Sequence, residues 1–421
     1  MSFVQVGRLL LCVAAIVGSG SRLSAGQEPA PHPMPMPMPM AGDDEAWMFM
    51  QDGVVFGLLN SQGGSRGGDE VRMPNWWMGM ATRKAGRSQF TLTSMLSLDA
   101  ATVGERGYRE IFQSGEAVDG RPLIDRQHPH DFFMQLAAVW RIALTDRTGF
   151  TLAGGPVGEP ALGPVAFMHR ASAIEFPLAP LGHHTFDSTH VAFGVVTAAV
   201  DHGRFVLEGS VFNGREPDQH RWDFDFGRLD SVSARLWYKP SPAWELQVST
   251  GHLKDPEELE PGTIERTTAS ASWMKKSGAG MTAVTVGYGV NDTDHGTRHA
   301  GLAELTQRRG AFAGFGRFEL LQPEIAVLLH GASNHEHASP ERPALAAFTA
   351  GGVRDLGNWR GFEGALGAAV TVYAVPDVLR SAYGNHPVSL QLFISLRPPA
   401  PMGRMLNMRM SQPRMGGGMA H

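Results

Sequence analysis

The chain has 421 residues, of which 51 are glycine, 9% are aromatic and 18% are charged. Its formal net charge is −5 and its pI is about 6.4, so no basic surface of the kind that binds nucleic acid is expected. No run of about 18 uninterrupted apolar residues follows the N-terminus, which excludes a helical membrane protein.

The first 25 residues have the features of a secretory signal peptide. Arg8 precedes an apolar stretch from Leu9 to Val17, and small residues follow up to Ala25, where we expect cleavage. The single cysteine, Cys12, lies inside this segment. The exported chain would therefore have no disulfide and no thiolate for metal or nucleophile chemistry. A lipid anchor at Cys12 is the alternative, because the residues before it loosely match a lipoprotein box.

From residue 46 to residue 398 the sequence consists of segments in which apolar and polar residues alternate. In the segment from Val388 to Arg397, apolar side chains at even positions alternate with mostly polar ones at odd positions. Such a period of two predicts a strand with one apolar and one polar face. Sixteen segments of this kind predict strands at residues 46–59, 73–83, 88–99, 131–145, 148–156, 189–201, 204–214, 229–239, 243–253, 265–275, 280–290, 299–308, 311–321, 344–355, 358–373 and 388–397.

The stretch from Asp230 to Leu253 shows the repeating unit, a hairpin. Two alternating halves flank the turn Lys239–Ala243, whose two prolines cannot continue a ladder. The apolar faces end near this turn in the aromatic residues Tyr238 and Trp244, as expected where a transmembrane strand reaches the lipid–water interface. A soluble β-sandwich hairpin alternates in the same way, so the connections have to decide between the two.

Short and long connections alternate along the chain. Turns of a few residues, such as Asp201–Gly203 and Arg308–Gly310, join every second pair of strands, whereas residues 100–130 and 157–188 form long connections. Outer-membrane barrels have short periplasmic turns and long extracellular loops, a sorting that a sandwich does not require. The sequence therefore predicts an all-β protein: a closed antiparallel transmembrane β-barrel of about 16 strands (14–18) over residues 46–398, in the outer membrane of a Gram-negative bacterium.

Charged residues lie inside several predicted strands, where a soluble core would leave them unpaired. A barrel of about sixteen strands is wide enough to hold water and charged groups. We expect most of these side chains to pair across the lumen as rigid struts. The residues concerned are Glu208, Arg235, Glu245, Glu304, Arg308, Arg317 and Glu319.

Methionine is concentrated at both ends of the chain, in residues 26–45 and 399–421. Both segments are predicted to be disordered, because alternating Pro-Met and Gly-rich sequence cannot form a packed core. Thioether sulfur is a soft ligand that prefers Cu(I), and by the same logic Ag(I), so metal capture is one interpretation. A solvated linker is the other. The candidate ligands are His32, Met34, Met36, Met38, Met40, Met402, Met405, Met408, Met410, Met415, Met419 and His421.

Histidine and aspartate are concentrated in three stretches of the long loops: 125–131, 163–170 and 180–190. These residue types bind borderline metals or carry out acid–base chemistry, and a His-x-His pair on an extended chain points both rings to one face. The alternative is a plug of His–Asp and Arg–Asp hydrogen bonds that fixes a constriction loop. The candidate metal ligands are His128, His130, His169, His183, His184 and His190, with Asp125, Asp131 and Asp187 beside them.

The motifs DRQHPHD at 125–131, GPVAFMHR at 163–170 and PLGHH at 180–184 resemble those of a poorly characterised family of bacterial outer-membrane β-barrel proteins. The resemblance runs from about residue 47 to Pro398 and implies a barrel and its location, with no assigned chemistry. The methionine-rich ends are similar in composition to copper-resistance outer-membrane proteins. That second resemblance implies Cu(I) or Ag(I) as the ion, outer-membrane lipids as surroundings and periplasmic metal carriers as partners.

Three functions follow from these patterns. The first is binding, tolerance or passage of a soft metal across the outer membrane. The second is a general or solute-selective porin-like channel with no metal role. The third is an outer-membrane enzyme that uses histidine and aspartate at the mouth, which we do not expect because neither a G-x-S-x-G nor an H-E-x-x-H motif occurs. We predict no catalytic residue.

Overall fold

The structure, a computed structural model, describes residues 46–258, 262–278, 280–331 and 342–412. Sixteen antiparallel strands form a closed wall, as the sequence predicts: each pairs with its neighbours in chain order, and the first pairs with the last. The strands are β1 (Met48–Gln62), β2 (Asn75–Ala85), β3 (Ser88–Leu96), β4 (Phe133–Ala143), β5 (Thr148–Gly158), β6 (Ala192–His202), β7 (Phe205–Phe212), β8 (Ser231–Ser241), β9 (Trp244–Lys254), β10 (Thr263–Ser277), β11 (Gly280–Thr293), β12 (Gly296–Arg309), β13 (Phe312–Leu321), β14 (Leu345–Trp359), β15 (Phe362–Ala374) and β16 (Val388–Arg397).

The outer surface of the wall is apolar and the inner surface is polar. In β16, Leu390 and Leu392 are 53% and 55% exposed, whereas Ser389 and Gln391, which alternate with them, are buried. On β7 and β8, Phe205 and Tyr238 stack near the short turns. A predominantly apolar exterior with aromatic residues toward its edge matches the lipid-facing band of an outer-membrane barrel. No helix in the described ranges is long and apolar enough to span a bilayer.

The two rims differ, with one exception to the predicted alternation. Turns of a few residues join β2 to β3, β4 to β5 and each later even–odd pair of strands at one rim, where β1 begins and β16 ends. At the opposite rim β11 and β12 are joined by Asp294 and His295 only, although we predicted a longer connection there. The long segments of this rim are 97–132, 159–191, 213–230 and 375–387, with the described residues 322–331 and 342–344. These include the short helices Asp99–Thr102, Ile325–His330 and Asp377–Tyr383. Since short turns of such barrels face the periplasm, we name these the periplasmic and extracellular rims.

The lumen is filled by protein. Residues 159–191, the plug segment, fold inward between β5 and β6 and are buried over almost their whole length. The segment contains the single turns Phe167–His169 and Ser188–His190 and the short helix His183–Phe186. It therefore occupies the space that would otherwise be an aqueous channel.

The predicted charged struts hold the plug segment to the wall. Glu304 on β12 accepts hydrogen bonds from Arg170 of the plug at 2.8 and 2.9 Å and from Arg317 of β13 at 3.0 Å. Arg235 on β8 binds Glu208 at 2.7 Å and Glu159 of the plug at 3.3 Å. These side chains are almost fully buried, so the prediction that lumen charges pair as struts is confirmed.

The tail, residues 399–412, differs from the sequence prediction. We predicted a disordered segment over residues 399–421, yet Met405, Met408 and Met410 are only 2%, 2% and 3% exposed. The segment turns back into the lumen from the periplasmic rim, because its arginines meet carboxylates on the inner wall. Residues 26–45 and 413–421, the other predicted disordered segments, lie outside the described residues.

Candidate functional site

Methionines from three parts of the chain meet inside the barrel. Strands β1–β4 supply wall residues, the plug segment supplies one, and the tail supplies two. All are at most 8% exposed. This methionine cluster consists of Met50, Met78, Met80, Met95, Met134, Met168, Met405 and Met408.

The wall methionines come together through strand pairing. Met78 and Met80 are two residues apart on β2 and so share the inner face. Across the ladder Met80 pairs with Met50 of β1, and Met78 pairs with Met95 of β3. Directly opposite residues on one face have Cβ atoms about 5 Å apart, so these side chains contact one another. We did not predict these wall positions from the sequence, although the Met-Gly-Met spacing on β2 is a usable signal.

Ionic contacts anchor the start of the tail beside this cluster. Arg404 donates to Asp52 of β1 at 2.9 Å and contacts Glu363 of β15. The Met405 amide donates to the second oxygen of Asp52 at 2.8 Å. Asp52 lies two residues after Met50, so the same strand that supplies a methionine also fixes the tail methionine against it.

The end of the described tail is anchored on another part of the wall. Arg409 lies over the Trp237 ring at 4.2 Å and contacts Glu208, which also accepts a hydrogen bond from Ser411. The Met410 sulfur packs against Gly158, where an added Cβ would lie only 2.6 Å from it. A side chain at position 158 would therefore displace the tail.

His169 is the one predicted histidine that joins the methionine cluster. Its neighbour Met168 belongs to that cluster, and its ring lies 5.1 Å from the Trp76 ring. Burial lowers the pKa of His169 to about 4, so its imidazole is neutral near pH 7. Its backbone carbonyl accepts a hydrogen bond from the Asn407 amide at 2.7 Å, which ties this part of the plug to the tail.

The other five predicted histidines form one group, which we call the histidine cluster. The centroid of the His183 ring lies 5.7, 5.4 and 5.2 Å from the centroids of His128, His184 and His190. His190 in turn lies 5.5 Å from His130. The structure thus brings together the histidines of the stretches 125–131 and 180–190, whereas His169 of the third stretch lies apart from them.

Three rings of this cluster are oriented through Nδ1. The Nδ1 atom of His183 lies 2.8 Å from Asp187, that of His130 lies 2.9 Å from Asp99, and that of His190 lies 2.7 Å from the Asp187 carbonyl. A neutral ring that donates through Nδ1 presents Nε2 as an acceptor. In the described part of the chain, the Nε2 atoms of these three rings have no hydrogen-bond partner.

Burial separates the protonation states within the cluster. Burial lowers the pKa of His183 in spite of the nearby Asp187, and lowers that of His190 well below its usual value with help from the neighbouring histidines. Burial also acts on His184, but Glu216 at 3.0 Å outweighs it and raises the pKa of His184 to about 9. At pH 7 the His184 ring is therefore a cation beside neutral imidazoles.

The His184–Glu216 pair predicts a dependence of stability on pH. Because the folded pKa of His184 is about 9 and its ordinary value is 6.5, its contribution is fully present below pH 6.5 and is lost as pH rises through 9. We expect the free energy of unfolding in detergent, measured with urea, to fall across this interval. Glu216→Gln should flatten the fall, and an unchanged pH slope in that variant would contradict the assignment.

Two cavities connect these groups to each other and to solvent. A cavity of about 40 Å³ inside the lumen is lined by His130, Phe167 and Met168, and so joins the histidine and methionine clusters. A cavity of about 310 Å³ at the extracellular mouth is lined by Glu116 and His184, among others. The two clusters are thus neighbours inside the barrel.

The remaining predicted loop residues have structural partners. Asp125 binds Arg66 at 2.7 Å, and Asp131 binds Arg221 at 3.2 Å. Asp187 accepts from both Arg170 and His183. These contacts match the plug of His–Asp and Arg–Asp hydrogen bonds that we weighed against a metal site. Of the predicted end residues, His32, Met34, Met36, Met38, Met40, Met415, Met419 and His421 lie outside the described ranges, and Met402 is partly exposed at the rim.

No family model matches the chain, and no curated protein matches it. Solved outer-membrane proteins do match in fold. OmpTdeltaL8, a loop L8 deletion mutant of OmpT from Vibrio cholerae, is 7% identical with a TM-score of 0.51, over 84% of this chain and 100% of that one. OprB of Pseudomonas putida is 10% identical with a TM-score of 0.51, over 85% and 94%. Salmonella typhi OmpF, in complex with daunomycin, is 7% identical with a TM-score of 0.50, over 86% and 100%. At these identities the likeness shows the fold alone: this chain has the closed antiparallel β-barrel fold of these outer-membrane proteins.

Proposed function

We propose that this barrel binds Cu(I) or Ag(I) in its methionine cluster and serves tolerance or passage of that soft metal at the outer membrane. The observation that carries the proposal is the insertion of Met405 and Met408 into the lumen, among six methionines of the wall and plug. Thioether sulfur is the side-chain donor that selects such ions. Outer-membrane lipids and periplasmic metal carriers are the partners expected for this role.

Packing alone does not account well for the composition of the cluster. Methionine fills gaps in ordinary cores, but here it lines one side of a lumen whose other walls carry charged and polar groups. The tail that completes the cluster is held by Arg404 and Arg409 through buried ionic contacts rather than by apolar contact alone. Ionic contacts therefore hold the tail methionines in place, which supports a role for their sulfur atoms.

A porin-like channel is the second candidate, and the fold supports it. The filling of the lumen by the plug segment and the tail weighs against free diffusion. Two cavities inside it measure about 40 and 20 Å³, on the scale of one water molecule each. Passage of a solute would require the plug or the tail to move, whereas ion binding in the cluster requires neither.

Silver binding tests the proposal directly. We expect the purified full-length protein to retain Ag(I) after gel filtration, measured by elemental analysis, and M405L/M408L to bind it at least tenfold more weakly. Leucine preserves the volume and apolar character of these side chains, so the barrel should stay folded. The control M274L/M281L changes two half-buried methionines of β10 and β11 outside the cluster and should bind like the wild type. Equal silver content in all three proteins would overturn the proposal.

A further inference from the structure

We propose that His130, His183 and His190 form a second site, one for a borderline divalent cation such as Cu(II) or Zn(II). This inference is independent of soft-metal binding in the methionine cluster, because it rests on nitrogen donors in a different part of the lumen. Imidazole suits Cu(II) and Zn(II), whereas thioethers favour Cu(I) and Ag(I). The barrel would thus hold two metal sites of different preference, one with imidazole ligands and one with thioether ligands.

The donor atoms are available and sheltered. The Nε2 atoms of these rings lie in the interior without a hydrogen-bond partner in the described structure, and the His183 and His190 side chains are more than nine-tenths buried. A buried polar atom without a partner costs about 1–3 kcal/mol, so three together need a physical reason. A metal ion would accept these lone pairs once the rings converge on it.

The surroundings of the rings are those of metal-binding histidines. Such histidines usually donate their second nitrogen to a carboxylate or a backbone carbonyl, which fixes the ring and increases the basicity of the ligating atom. His130 has this contact with Asp99, His183 with the Asp187 carboxylate, and His190 with the Asp187 carbonyl. One loop residue, Asp187, therefore orients two of the three rings.

The charge beside His130 favours a cation. Asp99 is only 1% exposed, and its described contacts are to Asn75, to the His130 amide and to the His130 ring, with no arginine or lysine among them. A buried carboxylate is costly unless a positive charge lies nearby. A divalent ion on Nε2 of His130 would supply that charge through the ring.

The ring spacing sets how the ion binds. With metal–nitrogen distances of about 2.0–2.1 Å, two imidazoles on one tetrahedral ion have ring centroids roughly 5–5.5 Å apart. His190 lies 5.2 Å from His183 and 5.5 Å from His130. Within the described ranges, three donor atoms approach within 4.8 Å of one another only in an exposed carboxylate group, Asp218, Asp223 and Asp225. The donor atoms of His130, His183 and His190 therefore do not all reach one ion in this arrangement, and binding requires at least one ring to turn toward it.

A small cavity of about 40 Å³ lies beside His130 and is lined by His130, Asp99 and Phe167, but by neither His183 nor His190. It has room for about one water molecule next to an ion on His130. The adjoining His128 and His184 connect this position to the cavity at the extracellular mouth, which is the side from which we expect the ion to enter.

Copper titration of full-length protein tests the site. The titration uses the M405L/M408L variant, in which the soft-metal site is altered. Silver binding tests the soft-metal site in a separate experiment, so the two proposals can fail independently. With CuCl₂ as the probe, we expect one equivalent of Cu(II) whose electron paramagnetic resonance spectrum shows coupling to imidazole nitrogen. Adding H130Q/H190Q should weaken that equivalent at least tenfold. The control H220Q/H252Q removes two exposed histidines and should leave the signal unchanged.

An unchanged spectrum in H130Q/H190Q would overturn the inference, as would loss of the signal in the exposed-histidine control alone. Circular dichroism establishes whether each variant retains the barrel. A second measurement needs no variant: crystals of the wild type soaked in CuCl₂ should give an anomalous peak at the copper edge within bonding distance of Nε2 of His190. Peaks confined to the rim or to exposed histidines would also contradict the site.

Discussion

Removing both lumen segments is expected to turn a closed barrel into a conducting one. The variant replaces residues 159–191 by Asn-Gly and ends the chain after Pro398. Gly158 and Ala192 already pair across the β5–β6 ladder, so a two-residue type I′ turn can join them without moving either strand. Ion pairs within the wall, such as Glu304 with Arg317, remain and become solvated.

Planar-bilayer recording measures this result. We expect negligible conductance for the wild type, little change when only one segment is removed, and stepwise conductance when both are absent, because the plug and the tail fill different parts of the lumen. Replacing residues 213–230 by Asn-Gly is the matched control. Phe212 and Ser231 also pair directly, and although Glu216 and Arg221 of that loop contact His184 and Asp131, the plug and the tail remain in the lumen, so the barrel should stay closed. A folded double variant that does not conduct would contradict this account of the lumen.

Replacing Glu304 by leucine should have the largest effect on stability of any single change considered. Glu304 accepts hydrogen bonds from Arg170, Arg317 and Ser172, all of them buried. Removing it leaves Arg170 with Asp187 and leaves Arg317 with backbone carbonyls and the Phe176 ring but no carboxylate hydrogen bond. Breaking a buried ion pair by removing one partner costs about 3–5 kcal/mol, because the remaining charge stays desolvated.

Urea unfolding in detergent or lipid measures the loss. The control is Asp201→Leu, which removes the partner of Arg141 near the periplasmic rim, where both side chains are partly exposed. Such a pair contributes about 1 kcal/mol or less. Similar losses in the two variants would mean that the lumen is wetter than the structure indicates, and that the plug is not held by its ion pairs.

The strands of the wall could be predicted from sequence because they follow from local residue patterns. Period-two alternation and turn length depend on neighbouring residues, so the predicted strand 388–397 coincides with β16 and the predicted 229–239 differs from β8 by two residues. Closure follows because an unpaired edge is costly in a membrane. The number of strands then needs no information beyond the count of alternating segments.

The contents of the lumen could be predicted only in part. The histidine stretches come together because they lie in connections at the same rim, which loop parity shows. The position of the tail cannot be predicted from a local sequence pattern, because its contacts are distant in sequence. Arg409 contacts Glu208, and Arg404 contacts Asp52. For the same reason a Gly- and Met-rich segment looked like a solvated linker. The inward face of Met78 and Met80 also could not be distinguished from the lipid-facing side, since methionine suits both environments.

The position of the tail behind the last strand has a consequence for biogenesis. Arg404 contacts both Asp52 of β1 and Glu363 of β15, the strands on either side of β16, so its docking position is complete only once β16 pairs with β1. Docking of Arg404 is therefore expected to follow closure of the wall. A barrel arrested before closure should leave this part of the tail undocked and accessible to proteases.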